Sequence, residues 1–173
     1  MIITKRMYLE NAKETDIVAI MEMERHEDNR NFIWQGTYDE HIKEIESDDF
    51  LLLVFKQRDT DETVGFALIC LDKKSERFEL RRIAVAKKGL GYGREALTAL
   101  IKYAFEDLNM NRFWLDVYPD NFIGIKLYEG IGMHKDGVLR QNYKSDRGYL
   151  DMIIYSMLKQ EYFEGSLYTS KNS

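Results

Sequence analysis

The rhythm of apolar and polar positions changes repeatedly along the chain, and each change marks an element. Residues 1–9, "MIITKRMYL", read as a short strand. Over residues 11–24, Ile17, Ile20 and Met21 fall on one helical face, with Asn11 or Thr15 as the cap. A second helix over 37–47 carries Ile42 and Ile45, with Thr37 and Glu40 as a capping box. Residues 50–57 and 63–72 are apolar strands joined by "RDTDE", and 77–86 is a further strand. From Arg94 to Leu108 the residues Leu97, Leu100, Ile101, Ala104, Phe105 and Leu108 form a helical stripe. A strand over 112–118 stops at Pro119, the only proline, and a shorter helix follows over 121–132. Strands over 137–144 and 148–158 precede a polar end, 164–173, that is expected to fray. The order βααβββαβαββ predicts one α/β domain over residues 1–160, a mixed sheet of about seven strands flanked by four helices, then a polar tail over 161–173.

Composition narrows the class. A chain of 173 residues suits one domain, and 45% hydrophobic with 32% charged residues is ordinary for a soluble protein. The single cysteine, Cys70, lies in an apolar strand; it excludes a disulfide framework and reads as a core residue. With no apolar run long enough to span a bilayer and no signal-peptide pattern, the expectation is a cytoplasmic protein without membrane contact. A net charge of −5 argues against nucleic acid. Residues 22–49 hold ten acids against three bases, which reads as solvated helix faces or as a surface attracting a cationic substrate. His26, His41 and His134 are too scattered for a metal site, so none is expected. Trp34, Tyr38 and Tyr143 read as packing residues, with an acceptor pocket as the alternative.

Chemistry concentrates in "RRIAVAKKGLGYGREAL", residues 81–97, where Gly89, Gly91 and Gly93 fall within five positions between a strand and a helix. A helix N-terminus presents unpaired N–H groups and roughly half a positive charge. Glycines there let a diphosphate approach those amides, and Lys87, Lys88 and Arg94 add positive charge. A ligand-free turn is the plain alternative. "GYGREA" also satisfies G-x-G-x-x-A, yet it lies far from a first βαβ unit and has no acid at the expected distance, which counts against a nicotinamide enzyme.

The same stretch resembles the pyrophosphate motif Q/R-x-x-G-x-G/A of the GNAT superfamily of N-acetyltransferases, with Lys88, Gly91 and Gly93 at its fixed positions. "NFIGIKLYEGIGM", residues 121–133, is similar to that superfamily's N-x-x-A-x-x-L-Y-x-x-x-G-F, with Gly124 replacing the alanine and Met133 the aromatic. Asn121 and Tyr128, seven positions apart, lie only about 20° out of register on a helix, and a glycine between them costs about 1 kcal/mol unless something approaches closely. The resemblance implies the GNAT fold and acetyl-CoA as cosubstrate. It implies that the loop Lys88, Gly89, Leu90, Gly91, Tyr92, Gly93 and Arg94 holds the pyrophosphate, while the backbone of Ile83, Ala84 and Val85 pairs with the pantetheine arm and polarises the thioester carbonyl. It gives Asn121 and Gly124 a place on the cofactor arm and makes Tyr128 the general acid for the leaving thiolate. A helix cap at Asn121 and a core tyrosine at Tyr128 are the bland readings.

An ammonium of pKa near 10 must lose a proton before attack, which costs about 4 kcal/mol at pH 7. Glu79 resembles the base of part of the superfamily; as residue i to Arg81 at i+2 it also reads as an ion-pair partner. The last strands look like the ribosomal-protein alanine and spermidine acetyltransferase branch. The expected function is therefore acetyl transfer to a primary amine, preferably a small cationic amine such as a polyamine. A protein N-terminus is the alternative acceptor, and a non-catalytic acyl-CoA sensor the alternative class. Family resemblance also implies a homodimer or larger homo-oligomer.

Overall fold

The computed structural model describes residues 1–171. Its strands are β1 (Ile2–Ile3), β2 (Met7–Asn11), β3 (Phe50–Gln57), β4 (Thr63–Asp72), β5 (Arg77–Val85), β6 (Arg112–Val117), β7 (His134–Ser145) and β8 (Gly148–Leu158). They form one sheet in the order β1-β2-β3-β4-β5-β6-β8-β7, antiparallel throughout except for the pair β5 and β6. The helices are α1 (Ile17–Arg25), α2 (Tyr38–Glu46), α3 (Tyr92–Lys102), α4 (Phe122–Ile131) and α5 (Lys159–Lys171). The single α/β unit with a mixed sheet is as the pattern predicts, with eight strands in place of seven and five helices in place of four.

Each departure has a local cause. The first strand breaks in two because Thr4 turns the chain, its amide donating to the Met7 carbonyl at 2.8 Å and its hydroxyl accepting from the Met7 amide at 2.9 Å. The first helix begins later than expected because Asn11 is still paired with Leu53 of β3. Asp16 then accepts from the Lys13 amide at 2.8 Å, and a 3-10 turn over Glu14–Asp16 leads into α1. The long apolar stripe after the glycines is α3 followed by a π turn, Tyr103–Asp107, which keeps Ala104 and Phe105 buried. The polar tail, expected to fray, is helical through Lys171; residues 172 and 173 lie outside the described residues. Tyr162 anchors it: its ring centroid lies 5.2 Å from that of Phe105, and its hydroxyl donates to Glu106 at 2.5 Å.

The sheet has a core on each face. Phe78, Leu80, Phe113, Leu115 and Val117 pack with α3 in the larger one, and α1 covers the other through Ile20 and Met23 on Leu52, Val54, Phe66 and Leu68. In β5, Leu80 and Arg82 oppose the consecutive residues Ile69 and Leu68, which leaves Arg81 as an extra residue, a β-bulge. The bulge exchanges the faces. Before it, Phe78 and Leu80 enter the larger core; after it Ile83 and Val85 do, while Ala84 joins the α1 side.

Candidate active site

β5 and β6 pair only at Arg77, Phe78 and Glu79 against Arg112, Phe113 and Trp114. The bulge at Arg81 follows at once and bends β5 away, so the two strands part and leave a gap between Leu80–Val85 and Leu115–Val117. Two cavities open at this gap. One, of about 330 Å³, is lined by Ile83, Ala84 and Val85, the glycine loop, and Asn121 and Gly124 of α4. The other, of about 360 Å³, is lined by Glu79, Arg81, Asp116, Tyr118 and Tyr143. Tyr128, Asn121 and Ile83 line both.

The first cavity has the features of an anion cradle. Gly89 and Gly91 take φ values of 80° and 81°, which glycine alone adopts without strain, and Gly91 caps α3 without a side chain. The first N–H groups of α3 are therefore open to a ligand. Arg6, which no sequence motif marked, brackets the loop: it donates to the Leu90 carbonyl at 2.8 Å and lies 4.5 Å above the Tyr92 ring. Glu95 fixes Arg6 there, accepting from its amide at 2.8 Å, from its Nε at 2.7 Å and from the Thr4 hydroxyl at 2.7 Å.

Other basic residues near the loop are engaged elsewhere. Lys88 donates to the Asp28 carbonyl and tilts over the Phe32 ring, tying the glycine loop to the segment after α1. Lys87 pairs with Glu62 at 3.7 Å, and Arg94 donates to the Gly130 carbonyl at 3.2 Å. Asn121 caps α4, its Oδ1 accepting from the Gly124 amide at 3.0 Å. A Cβ on Gly124 would come within 2.9 Å of that side chain, so the close approach anticipated at this glycine is made by Asn121 itself.

The second cavity gathers titratable groups from separate elements. Glu79 pairs with Arg81 at 3.2 Å, as the i, i+2 spacing anticipated. Asp116 lies two residues past Trp114, on the face opposite the one that Phe113, Leu115 and Val117 bury. Burial and the neighbouring Glu79 charge raise its carboxyl to about 6. Among the described residues no cationic side chain forms an ion pair with it. Tyr128 is only 7% exposed, its ring 6.0 Å from that of Tyr155. Burial, and then the Asp116 charge, push its phenol to about 12, so it holds its proton at neutral pH.

An aromatic wall closes this cavity. Trp34 meets Tyr143 edge-on at 5.9 Å between centroids, and Tyr118 meets Tyr143 at 5.9 Å. Trp34 and Tyr143 thus line the pocket, whereas Tyr38 does not, its hydroxyl donating to Glu14 at 2.8 Å. Arg147 fastens the β7–β8 turn across the wall, pairing with Asp120 at 2.5 Å and donating to the Asn31 carbonyl at 2.9 Å. Beyond the wall an outer cavity of about 580 Å³ is rimmed by Arg30, Lys144, Asp146 and Arg147.

A GNAT acetyltransferase domain model matches residues 6–134. The chain belongs to the GNAT family. An uncharacterized N-acetyltransferase, p20, of Bacillus licheniformis is 36% identical over 109 residues, 61% of this chain and 60% of that protein's length. A spermine/spermidine N(1)-acetyltransferase of Bacillus subtilis is 32% identical over 89 residues, 47% of this chain and 59% of that one. In fold, the chain is similar to a dodecameric spermidine N-acetyltransferase from Vibrio cholerae, with a TM-score of 0.76 and 20% identity over 91% of this chain and 96% of that one. The GNAT fold is thus the frame of the two cavities.

Sequence reasoning located the GNAT loop, Asn121, Tyr128 and Glu79, and the structure brings all of them to the gap. It passed over Asp116, Tyr118 and Arg6. The parallel register could have found Asp116, because it falls on the strand face shared by Glu79 and Trp114. Part of the acidic excess over 22–49 is internal. Glu24 accepts from Arg82 at 3.2 Å and Glu44 at 3.1 Å, while His41 bridges them at 3.3 and 2.7 Å.

Proposed function

We propose that the protein transfers acetyl from acetyl-CoA to the primary amine of a small cationic acceptor such as a polyamine. The observation that carries this reading is Tyr128, which stands in the wall common to both cavities where β5 and β6 part. Acetyl-CoA supplies an activated acyl group on sulfur. The open amides of α3, with Gly89, Gly91 and Gly93, would hold its pyrophosphate. The β5 backbone from Ile83 to Val85, unpaired with β6, would pair with the pantetheine arm and polarise the carbonyl. Asn121 positions the start of α4 beside it, and Tyr128 Oη donates its proton to the departing sulfur. Glu79, held by Arg81, serves as base or water relay. Carboxylates and aromatic faces together favour a cation in the acceptor cavity, which agrees with the polyamine enzymes among the relatives.

A protein N-terminus is the second acceptor. What favours it is the outer cavity, which continues from the acceptor cavity past Trp34 and Tyr143 and could take an extended chain. Homo-oligomer formation is part of the proposal. It is supported by the dodecameric relative and by exposed Val138 and Leu139 on the edge strand β7.

Thiol release from acetyl-CoA, measured over polyamines, N-terminal peptides, amino acids and aminoglycosides, tests the reading. Turnover on polyamines, lowered at least 100-fold in Tyr128→Phe with acetyl-CoA binding kept, is the expected result. Turnover on peptides alone selects the second acceptor. Binding of acetyl-CoA with no turnover on any amine makes the chain a sensor and overturns the enzyme reading.

A further inference from the structure

We infer that Glu24, buried in α1, is a positioning residue for the acceptor cavity: through the Gly36 amide it sets where Trp34 stands, and so how tightly the amine is held. This rests on the acetyl-transfer reading. The chain between α1 and α2 joins no strand of the sheet, yet its Phe32, Ile33 and Trp34 form one wall of that cavity. Hydrogen bonds with side chains elsewhere fix its course. Asn29 donates to the Met23 carbonyl at 2.9 Å and Arg147 to the Asn31 carbonyl at 2.9 Å, which hold its first half. In its second half the Gly36 amide donates to Glu24 Oε2 at 2.8 Å.

Glu24 suits this role because it gathers partners from three elements. Its carboxylate is fully buried and accepts from Arg82 Nη1 of β5 at 3.2 Å, while His41 Nε2 of α2 lies 3.3 Å away. A buried charge is not needed to seat α1, since Ile20 and Met23 already pack it on Leu52, Val54, Phe66 and Leu68. What the carboxylate adds is direction. An apolar contact tolerates sliding, whereas a desolvated carboxylate keeps its donors at hydrogen-bond distance or leaves them unsatisfied. Gly36 fits the same account. A Cβ there would sit 2.6 Å from His41 Nε2 and 3.2 Å from Arg82 Nη1, so the segment reaches Glu24 because this residue has no side chain.

The line of contacts runs from β5 through Arg82 and Glu24 to Gly36, and two residues back along the chain to Trp34, whose ring meets Tyr143 edge-on at 5.9 Å. Trp34 and Arg82 line the acceptor cavity, and neither lines the cavity of the glycine loop. Phe32 and Ile33 border both cavities, next to the Asn31 carbonyl that Arg147 keeps in place. Loosening the Gly36 end therefore changes the fit of the amine and leaves the loop amides where they are.

Two measurements on the full chain test this. The first compares KM for spermidine, kcat and the calorimetric Kd of acetyl-CoA in the wild type, Glu24→Gln and Gly36→Ala. Glu24→Gln removes one of the two oxygens its donors share. Gly36→Ala disturbs the same link from the segment side and carries the test if the first variant does not fold. Each should raise KM for spermidine about 10-fold, with kcat per folded molecule and the acetyl-CoA Kd kept within about 2-fold. A merely structural role would lower the folded fraction, and so the apparent kcat, with KM unmoved. That result, or a parallel rise in the acetyl-CoA Kd, overturns the assignment. The second needs no turnover: both tryptophans are labelled as 5-fluorotryptophan, and the Trp34 resonance is assigned by its loss in Trp34→Phe. A Trp34 resonance that shifts in Glu24→Gln while that of Trp114 stays supports the assignment, and an unmoved one overturns it. A shifted Trp34 resonance with no wild-type turnover on spermidine overturns the polyamine reading alone.

Discussion

Arg82 of β5 reaches Glu24 of α1, its Nη1 3.2 Å from a carboxylate that is fully buried. A second nitrogen holds Glu44 of α2 at 3.1 Å, so one guanidinium fastens both helices to the strand that carries Glu79. The Gly36 amide completes the cluster, donating to Glu24 at 2.8 Å. Removing one partner of such a buried group leaves an uncompensated charge and costs about 3–5 kcal/mol. Arg82→Met should lose stability on that scale in urea denaturation. Combining it with Glu24→Gln should restore part of the loss, because the stranded charge is then gone.

His41 gives this cluster a pH dependence. Burial opposes its charge, but hydrogen bonds to Glu24 and Glu44 outweigh it and raise the imidazole from 6.5 to about 9. A folded-state pKa above the unfolded one contributes stability that is complete below pH 6.5 and is lost as pH rises through about 9. Thermal melts from pH 6 to 10 should show a falling midpoint across that window. His41→Gln should melt lower at pH 6 and be flatter over the same range; an equally steep fall in that variant would assign the dependence elsewhere.

Glu95 acts with the opposite sign. Burial raises its carboxyl, yet hydrogen bonds from Thr4 and Arg6 and the Arg6 charge together bring it below 4.5. Its stabilisation is present above the unfolded pKa and disappears as pH falls through the folded one. Glu95→Gln should therefore reduce stability at pH 7 and shrink the loss seen on acidification below about pH 4.5. The β1–β2 turn should also gain hydrogen-exchange rate, because Glu95 is what ties it to α3.

Gly91 separates backbone geometry from side-chain space. Its φ of 81° is left-handed, and an added Cβ would meet only the Arg6 guanidinium at 3.3 Å. Gly91→Ala should cost about 1–2 kcal/mol from backbone strain, a fall of a few degrees in melting temperature. It should also weaken acetyl-CoA binding by calorimetry, since the displaced N-cap turns the α3 amides. Gly137→Ala is the control: nothing lies within 4 Å of its added Cβ, and both readouts should stay unchanged.

Overpacking limits β4 at Gly65. A Cβ there would sit 2.6 Å from the Phe55 ring and 2.7 Å from the Ala84 carbonyl, both fixed in the sheet. Gly65→Ala should destabilise by about 1–3 kcal/mol, measured by chemical denaturation. Acetyl-CoA binding should weaken as well, because Gly65 pairs with Val85 and the displaced Ala84 lines the first cavity.

The sequence by itself determined the local parts of this protein. Period-two and period-3.6 patterns placed the strands and helices, because side-chain direction alternates or rotates with backbone geometry whatever the fold. The capping box of Thr37 and Glu40 forms as read, and the motifs at Gly89–Gly93 and Asn121–Tyr128 fall together on the first cavity, since a loop and one helix carry each of them. Tertiary structure decided what crosses between elements. The Arg81 bulge is invisible in the β5 sequence, which alternates plausibly without it; only its register with β4 reveals the extra residue and the gap it opens toward β6. Asp116 became a site residue through that gap, Arg6 became a loop partner through Glu95, and Glu24 with Glu44 turned inward to Arg82. These are contacts between residues tens of positions apart, and their energies depend on burial and distance that the order of residues does not encode.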